Sequence, residues 1–472
     1  MRASKASGKL DTAEMPSERP RTKADRSSLL PRSAYYVCMT VLCEPNADST
    51  STIALRDITL QPILEKVLDG RRLSKEDGEL LYRTPDIHAV CRMANLVRNR
   101  MHGDIAYYNV NRHINYSNIC ALSCSFCAFH RKKNQDGAYE MSVEQVTEEA
   151  IKASEAGATE LHIVGGLHPR LPFSYYTDML SSIRTAAPNL HLKAFTAVEL
   201  VHLQRKSKRG RDGYEGLKNT LRDLVDAGLG SLPGGGAEVF DDRVHDEIFK
   251  GKIRGDQWLD VHRASHEVGL NSNATMLYGH VETPSERLHH MELLREQQDH
   301  ALKDWSEAQG LTRGPQGEVV LTGDKSLYPK ERLPLPGQDG LSSGFFQTII
   351  PLPFFPDGCE LEHLPGPTGL QNLRTLAIAR LMLDNIPHAK AFWIMQTLEM
   401  AQLMLQNGAD DLDGTVVWYD ITHVEGASTH QEITVHDLTR AATEAGYRPQ
   451  ERDTLYREVV RNGPEWSIRN PH

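Results

Sequence analysis

From about residue 105 onward, short apolar runs alternate with longer stretches whose apolar positions recur every three to four residues. That alternation of period-two and period-3.6 patterning predicts strands separated by amphipathic helices, the mark of a parallel α/β fold. Strands are expected at 107–115, 160–164, 191–195, 230–232, 271–276, 345–352 and 389–394, with a weaker one at 411–416. A helix is expected over 143–156, where Ser142 and Gln145 form a start signal and Gly157 a stop. Further helices fit 175–186, 214–227, 256–268, 285–299, 369–383 and 397–407. About eight strand–helix units favour a (β/α)8 TIM-type barrel over 105–460, with loops after the strands gathered on its catalytic, C-terminal face. Residues 56–104 read as a helical segment packed outside it.

Two stretches break the pattern. Residues 1–55 are rich in Ser, Arg, Pro and Thr and are expected to be a disordered extension, with Met39 an alternative start. Arginines there hint at a transit peptide, but Asp11, Glu14 and Glu18 argue against one. Residues 301–343, with Gly310, Pro315 and the Leu-Pro-Leu-Pro-Gly run at 333–337, read as a polar insertion. Running from a helix into a strand, it belongs on the face opposite the chemistry.

Composition narrows the class. The 472 residues carry a formal charge of −10, which gives no electrostatic case for a nucleic-acid surface. No apolar run approaches the ~20 residues of a membrane helix. Seven cysteines, three clustered and four scattered, do not form a secreted disulfide framework, so a cytoplasmic location is expected.

The clustered cysteines carry the chemistry. Residues 120–127 read Cys-Ala-Leu-Ser-Cys-Ser-Phe-Cys, directly after the first strand. Cys120, Cys124 and Cys127 could hold three irons of a [4Fe–4S] cluster, leaving one iron open to a chelating small molecule. A structural zinc site is the alternative, with His113 or His130 completing it and Cys359 standing alone. Loops after later strands add candidates: Gly165 and Gly166, Glu199, then Glu238 and Arg243, and finally Asn273 and His280. His168 and His280 are the imidazoles best placed for proton transfer or carboxylate anchoring, whereas His262, His266, His289 and His290 fall on helices and read as structural. Asp384-Asn385 and the acidic run 410–413 suggest divalent-ion loops without the spacing of an EF-hand, and the latter reads as the polar mouth of the last strand.

The C-x3-C-x2-C spacing with Phe126 before the last cysteine resembles the radical S-adenosylmethionine (SAM) superfamily. Longer strings at 162–169, 192–199, 231–238, 273–280, 379–387 and 408–415 resemble the aminofutalosine synthase family of menaquinone biosynthesis, over about 60–460. The 301–343 insertion and the N-terminal extension depart from that family. The resemblance implies a [4Fe–4S] cluster on Cys120, Cys124 and Cys127, and SAM bound by Phe126, Gly165, Gly166, Glu199, Glu238, Arg243 and Asn273. Catalytic roles fall to His168, His280 and Glu199, with Lys193 and Arg287 as further candidates for binding substrate carboxylates. It further implies an aromatic enolpyruvyl ether as substrate, 3-[(1-carboxyvinyl)oxy]benzoate, and flavodoxin or ferredoxin as electron donor; a homodimer is possible. Cyclic dehypoxanthine futalosine synthase and the tyrosine-using half of FO synthase share part of the pattern. A non-enzymatic zinc- or cluster-binding scaffold is the reading from another class.

Overall fold

The computed structural model describes residues 53–309, 344–416 and 432–469. The expected extension at 1–55 and insertion at 301–343 therefore lie almost wholly outside the described residues.

Seven parallel strands follow one another in chain order: β2 (Asn111–Ile114), β3 (Glu160–Ile163), β4 (His191–Ala194), β5 (Ser231–Leu232), β6 (Asn271–Tyr278), β7 (Phe346–Pro353) and β8 (His388–Ala389). Preceding β2, with Val110 between them, β1 (Ile105–Asn109) pairs with β9 (Asp411–Gly414) on one side and β10 (Arg448–Glu451) on the other. A bridge from Lys390 to Asp411, with Ala391 N–H donating to the Asp411 carbonyl, joins β8 to β9. The hydrogen-bonded ring thus returns to its start, and the fold is a TIM-type barrel.

The segment 389–394, expected as strand, leaves the sheet after Ala389 and turns into a short helix, Trp393–Gln396. The short apolar run after Lys390 cannot distinguish a strand from a buried helical turn. The Trp393 indole is buried there and donates to the Gly414 carbonyl at 2.9 Å. Ser142 and Gln145 do form a reciprocal capping box for the helix Val143–Glu155, and Gly157 ends it with φ +80°. Among the described residues, three α-helices precede β1: Gln61–Leu68, Lys75–Arg83 and Ile87–His102. Among the described residues no helix is long and apolar enough to cross a membrane.

Leu161, Ile163, Leu192 and Ala274 face outward into the helix layer and are fully buried. The inward side is polar, and it decides where a ligand can go. Lys193 Nζ lies 2.6 Å from Glu160, and Lys390 Nζ lies 2.7 Å from Asp413. The turn after β10 adds Arg452, 2.7 Å from Asp411, and Thr454, 2.8 Å from Glu160. The acidic run 410–413 is therefore not a polar mouth: Asp411 and Asp413 serve buried ion pairs, while Asp410 is held by Arg380 and His388. Removing one partner of such a pair typically costs about 3–5 kcal/mol, because the other charge is stranded. These pairs fill the barrel interior between the cavity at its C-terminal mouth and a second one of about 550 Å³ beside His191, Gly230 and Asn271 at the strand starts.

Candidate active site

The loop after β2 is held from several sides. Cys120 N–H donates to the Arg131 carbonyl at 3.0 Å, and Ala121 N–H to the Leu167 carbonyl at 2.9 Å. Lys132 Nζ reaches the carbonyls of Cys120, Ala121 and Leu122 at 3.0, 3.3 and 2.8 Å. From beyond β7, Glu360 N–H donates to the Ser125 carbonyl at 2.9 Å. So held, Cys120, Cys124 and Cys127 all line one cavity of about 280 Å³ at the barrel mouth.

Their spacing separates the two metal readings. Tetrahedral zinc with Zn–S near ~2.3 Å brings sulfurs within about 4 Å of one another. Among the described residues, the three potential ligands whose donor atoms all fall within 4.8 Å are His102, His388 and Asp410, not the cysteines. The wider thiol triangle suits a multi-iron cluster better than a single ion. Burial raises the Cys120 thiol and pushes Cys124 up to about 11, with Lys252 pulling Cys124 the other way. These sulfurs therefore carry protons until a metal displaces them. Cys359, expected to stand alone, lies on the loop after β7 and shares a second cavity of about 250 Å³ with Cys124 and Cys127. His130 lines both cavities, its Nδ1 2.9 Å from the Cys127 carbonyl. His113 sits inside the barrel against His162 instead.

The loops after β3 to β6 supply the other walls. Phe126, Gly165, Gly166, Glu199, Glu238 and Asn273 all line the cavity with the cysteines. A side chain on Gly166 would put its Cβ 2.5 Å from the Ile119 carbonyl oxygen, and one on Gly165 would strike the Tyr116 ring at 2.6 Å. These glycines thus admit the cysteine loop itself, where the sequence suggested only close approach to a ligand.

Glu199 is 2% exposed, and four protein donors already occupy its carboxylate. Tyr116 OH and Gly165 N–H donate to Oε1 at 2.7 and 3.0 Å. Thr196 N–H and Oγ1–H donate to Oε2 at 2.8 and 2.7 Å. About four lone-pair sites are all a carboxylate has, so its expected catalytic and SAM-binding roles have no free acceptor. Burial raises its pKa, and these donors offset that only in part.

Glu238 adopts φ +66°, an uncommon conformation for a residue with a side chain, and pairs with Lys252. Lys252 Nζ lies over the Phe126 ring, 4.8 Å from its centroid. Burial works against the Lys252 ammonium, but Glu238 and the neighbouring thiols more than compensate and raise its pKa.

Five expected site residues lie elsewhere. His168 Nδ1 accepts from the amides of Arg170 and Leu171, and its Nε2 is 2.8 Å from Glu140, behind the loop it was expected to serve. His280 is packed against Phe249, its Nδ1 2.9 Å from Glu282. Arg287 closes on the same Glu282 at 2.5 Å. Burial pushes Glu282 up, but His280, Arg287 and the Gly279 amide prevail and hold it at about 2. Arg243 is half-exposed on the rim, paired with Glu286 at 2.7 Å and Glu247 at 2.9 Å. Lys193 is committed to Glu160 below the cavity. Each carries a charge or imidazole close in sequence to the mouth, and a nearer internal partner captures it.

Sequence reasoning passed over Lys252, His162 and an apolar wall of Phe129, Phe354, Phe355, Phe392 and Met395, all lining the cavity. The Phe354-Phe355 pair directly after β7 was the available signal for that wall. The arrangement can hold a thiolate-bound cluster beside a largely apolar chamber that shields a reactive species from water.

Residues 114–294 match the radical SAM superfamily, and residues 342–464 match the CofH/MqnC C-terminal region. The chain is 40% identical over 409 residues to an aminodeoxyfutalosine synthase from Thermus thermophilus, an alignment spanning 86% of this chain and 97% of that protein. It is 38% identical over 414 residues to an aminodeoxyfutalosine synthase from Streptomyces coelicolor, spanning 85% and 94%. An FO synthase from Mycobacterium leprae is 33% identical over 420 residues, spanning 88% of this chain but 42% of that longer protein. Methylornithine synthase shares the fold, with a TM-score of 0.55 at 16% identity, covering 82% of this chain and 97% of that one.

Proposed function

The chain belongs to the aminodeoxyfutalosine synthase family of radical SAM enzymes, and from that premise we propose that it joins the 5′-deoxyadenosyl group of SAM to the double bond of 3-[(1-carboxyvinyl)oxy]benzoate. The products are 6-amino-6-deoxyfutalosine, methionine and carbon dioxide. The observation that carries this reading is the convergence of Cys120, Cys124 and Cys127 on one side of an aromatic-walled cavity at the barrel mouth.

The thiols fit a [4Fe–4S] cluster by donor type, by spacing and by the adjoining free volume. When bound, a cluster with one open iron supplies the electron that cleaves SAM. The protein's own part is positioning and exclusion. Lys132 fixes the backbone between the first two cysteines through three carbonyls. Glu199 ties Tyr116, Gly165 and Thr196 together, setting the height of the glycine turn beside that loop. Phe126, Gly165, Gly166, Glu238 and Asn273 border the space for SAM. Phe129, Phe354, Phe355 and Phe392 form a surface for the aryl ring and leave little room for water or stray hydrogen donors. A flavodoxin or ferredoxin in a reducing cytoplasm would deliver the electron.

The test is anaerobic turnover of the reconstituted protein with SAM, a reductant and the enolpyruvyl benzoate, followed by mass spectrometry. An adduct containing adenine supports the reading. Formation of 5′-deoxyadenosine without adduct would reject it in favour of hydrogen abstraction, as in a cyclase or the tyrosine-using half of an FO synthase. Failure to cleave SAM after reduction would leave a cluster-binding scaffold.

A further inference from the structure

Among the described residues, most buried imidazoles meet a partner through at least one ring nitrogen. His262 and His266 share the Ser272 hydroxyl at 2.9 and 2.8 Å. His290 bridges Phe240 N–H and the Thr275 carbonyl, and His191 meets Ser231 at 2.8 Å. One nitrogen each of His262 and His266 is also left unmet among the described residues, but neither ring lines the candidate active site. His162 does: it points inward from β3 at the cavity floor, its Nε2 sealed from solvent and neither ring nitrogen hydrogen-bonded among the described residues. A strand rise of ~3.3 Å per residue sets it about 10 Å below the turn at Gly165.

The surroundings do not satisfy it. The His113 ring from β2 meets it edge-on, with centroids 4.4 Å apart. Beneath lie Glu160 of β3 with Lys193 of β4, and Lys390 with Asp413 of β9, each cation already matched to a carboxylate. Burial, then His113 and Lys193, hold His162 well below the ordinary histidine pKa, so it is a neutral ring with one N–H to give. An unmet polar nitrogen at a cavity floor is a binding group in search of a ligand.

We propose that His162 is a substrate-binding residue, donating a hydrogen bond to the carboxylate on the aromatic ring of the bound enolpyruvyl ether. This rests on the function proposed above and adds an orientation to it. The reacting vinyl carbon must meet the adenosyl group beside the cysteine loop, which directs the ring and its carboxylate towards the barrel floor. Recognition of a hydrogen-bonding group by a buried partner typically discriminates by about 10- to 100-fold.

The experiment compares 3-[(1-carboxyvinyl)oxy]benzoate with its analogue lacking the ring carboxylate, in wild-type, His162→Phe and His162→Gln holoenzymes. Wild type should show a KM about 10- to 100-fold higher for the analogue. In His162→Phe the KM for the full substrate should rise by a similar factor while that for the analogue stays put. His162→Gln, which keeps a donor, should recover part of the loss. Iron content should match wild type. Equal KM values for the two compounds in wild type overturn the proposal however the variants fold, as does undiminished discrimination in His162→Phe. Those outcomes still yield adduct. No adduct from either compound in wild type would instead overturn the functional reading and this proposal with it.

Discussion

Replacing Glu199 by alanine removes the acceptor of four hydrogen bonds at once. The Tyr116 hydroxyl is the most exposed to this loss, because Tyr116 is 1% accessible and water cannot reach it cheaply. The Gly165 amide is next, enclosed between the cysteine loop and β3. Each stranded buried donor costs about 1–3 kcal/mol. Loss of the reciprocal Thr196–Glu199 capping box adds about 1 kcal/mol. The sum is about 5 kcal/mol, a large share of the ~5–15 kcal/mol that holds a typical domain together. Glu199→Gln should cost less, about 2 kcal/mol, because one oxygen still serves Tyr116 and Gly165 while its amide meets the Thr196 N–H donor to donor. Urea unfolding of the cluster-free protein, with m-values checked for constancy, measures both. The reasoning fails if Glu199→Ala unfolds within 1 kcal/mol of wild type yet no longer binds SAM, for then the carboxylate serves the ligand and not the fold.

Three further outcomes are expected. Gly166→Ala should fail to retain iron on anaerobic reconstitution, since its Cβ would lie 2.5 Å from the Ile119 oxygen and displace the neighbouring Cys120; Gly235→Ala, whose nearest neighbour is Thr196 Cγ2 at 3.2 Å, should retain it. Lys132→Met should fold but release iron to a chelator faster than wild type, because three carbonyls of the cysteine loop lose their shared donor. The acid limb of stability should show Glu282, whose pKa falls from 4.5 to about 2 on folding. A depressed carboxylate contributes its full stabilisation above about pH 4.5 and loses it as pH falls towards 2. That contribution is about 3 kcal/mol, and Glu282→Gln should make the slope between unfolding measurements at pH 5 and pH 3 shallower than in wild type.

Much of the architecture followed from local pattern alone. Period-two runs bounded by glycine located β2 to β7 to within a few residues, because each strand must bury one face against helices. The capping signals around Ser142 and Gly157 likewise act through the nearest few residues. The cysteine triplet is equally local: three thiols on one eight-residue loop converge whatever the rest of the chain does. Side chains whose partners are distant in sequence were another matter. Glu199, His168, His280 and Arg243 each stand next to the mouth by position, and sequence has no means of showing that Thr196 and Tyr116, Glu140, Glu282 and Glu286 reach them first. The polar barrel floor, the closing of β9 against β1, and the exposure of His162 to an open cavity depend on strands up to three hundred residues apart. Short-range geometry therefore determined which elements form and where the thiols gather. Only packing decided which polar groups are spent on holding the barrel together and which remain free to meet a ligand.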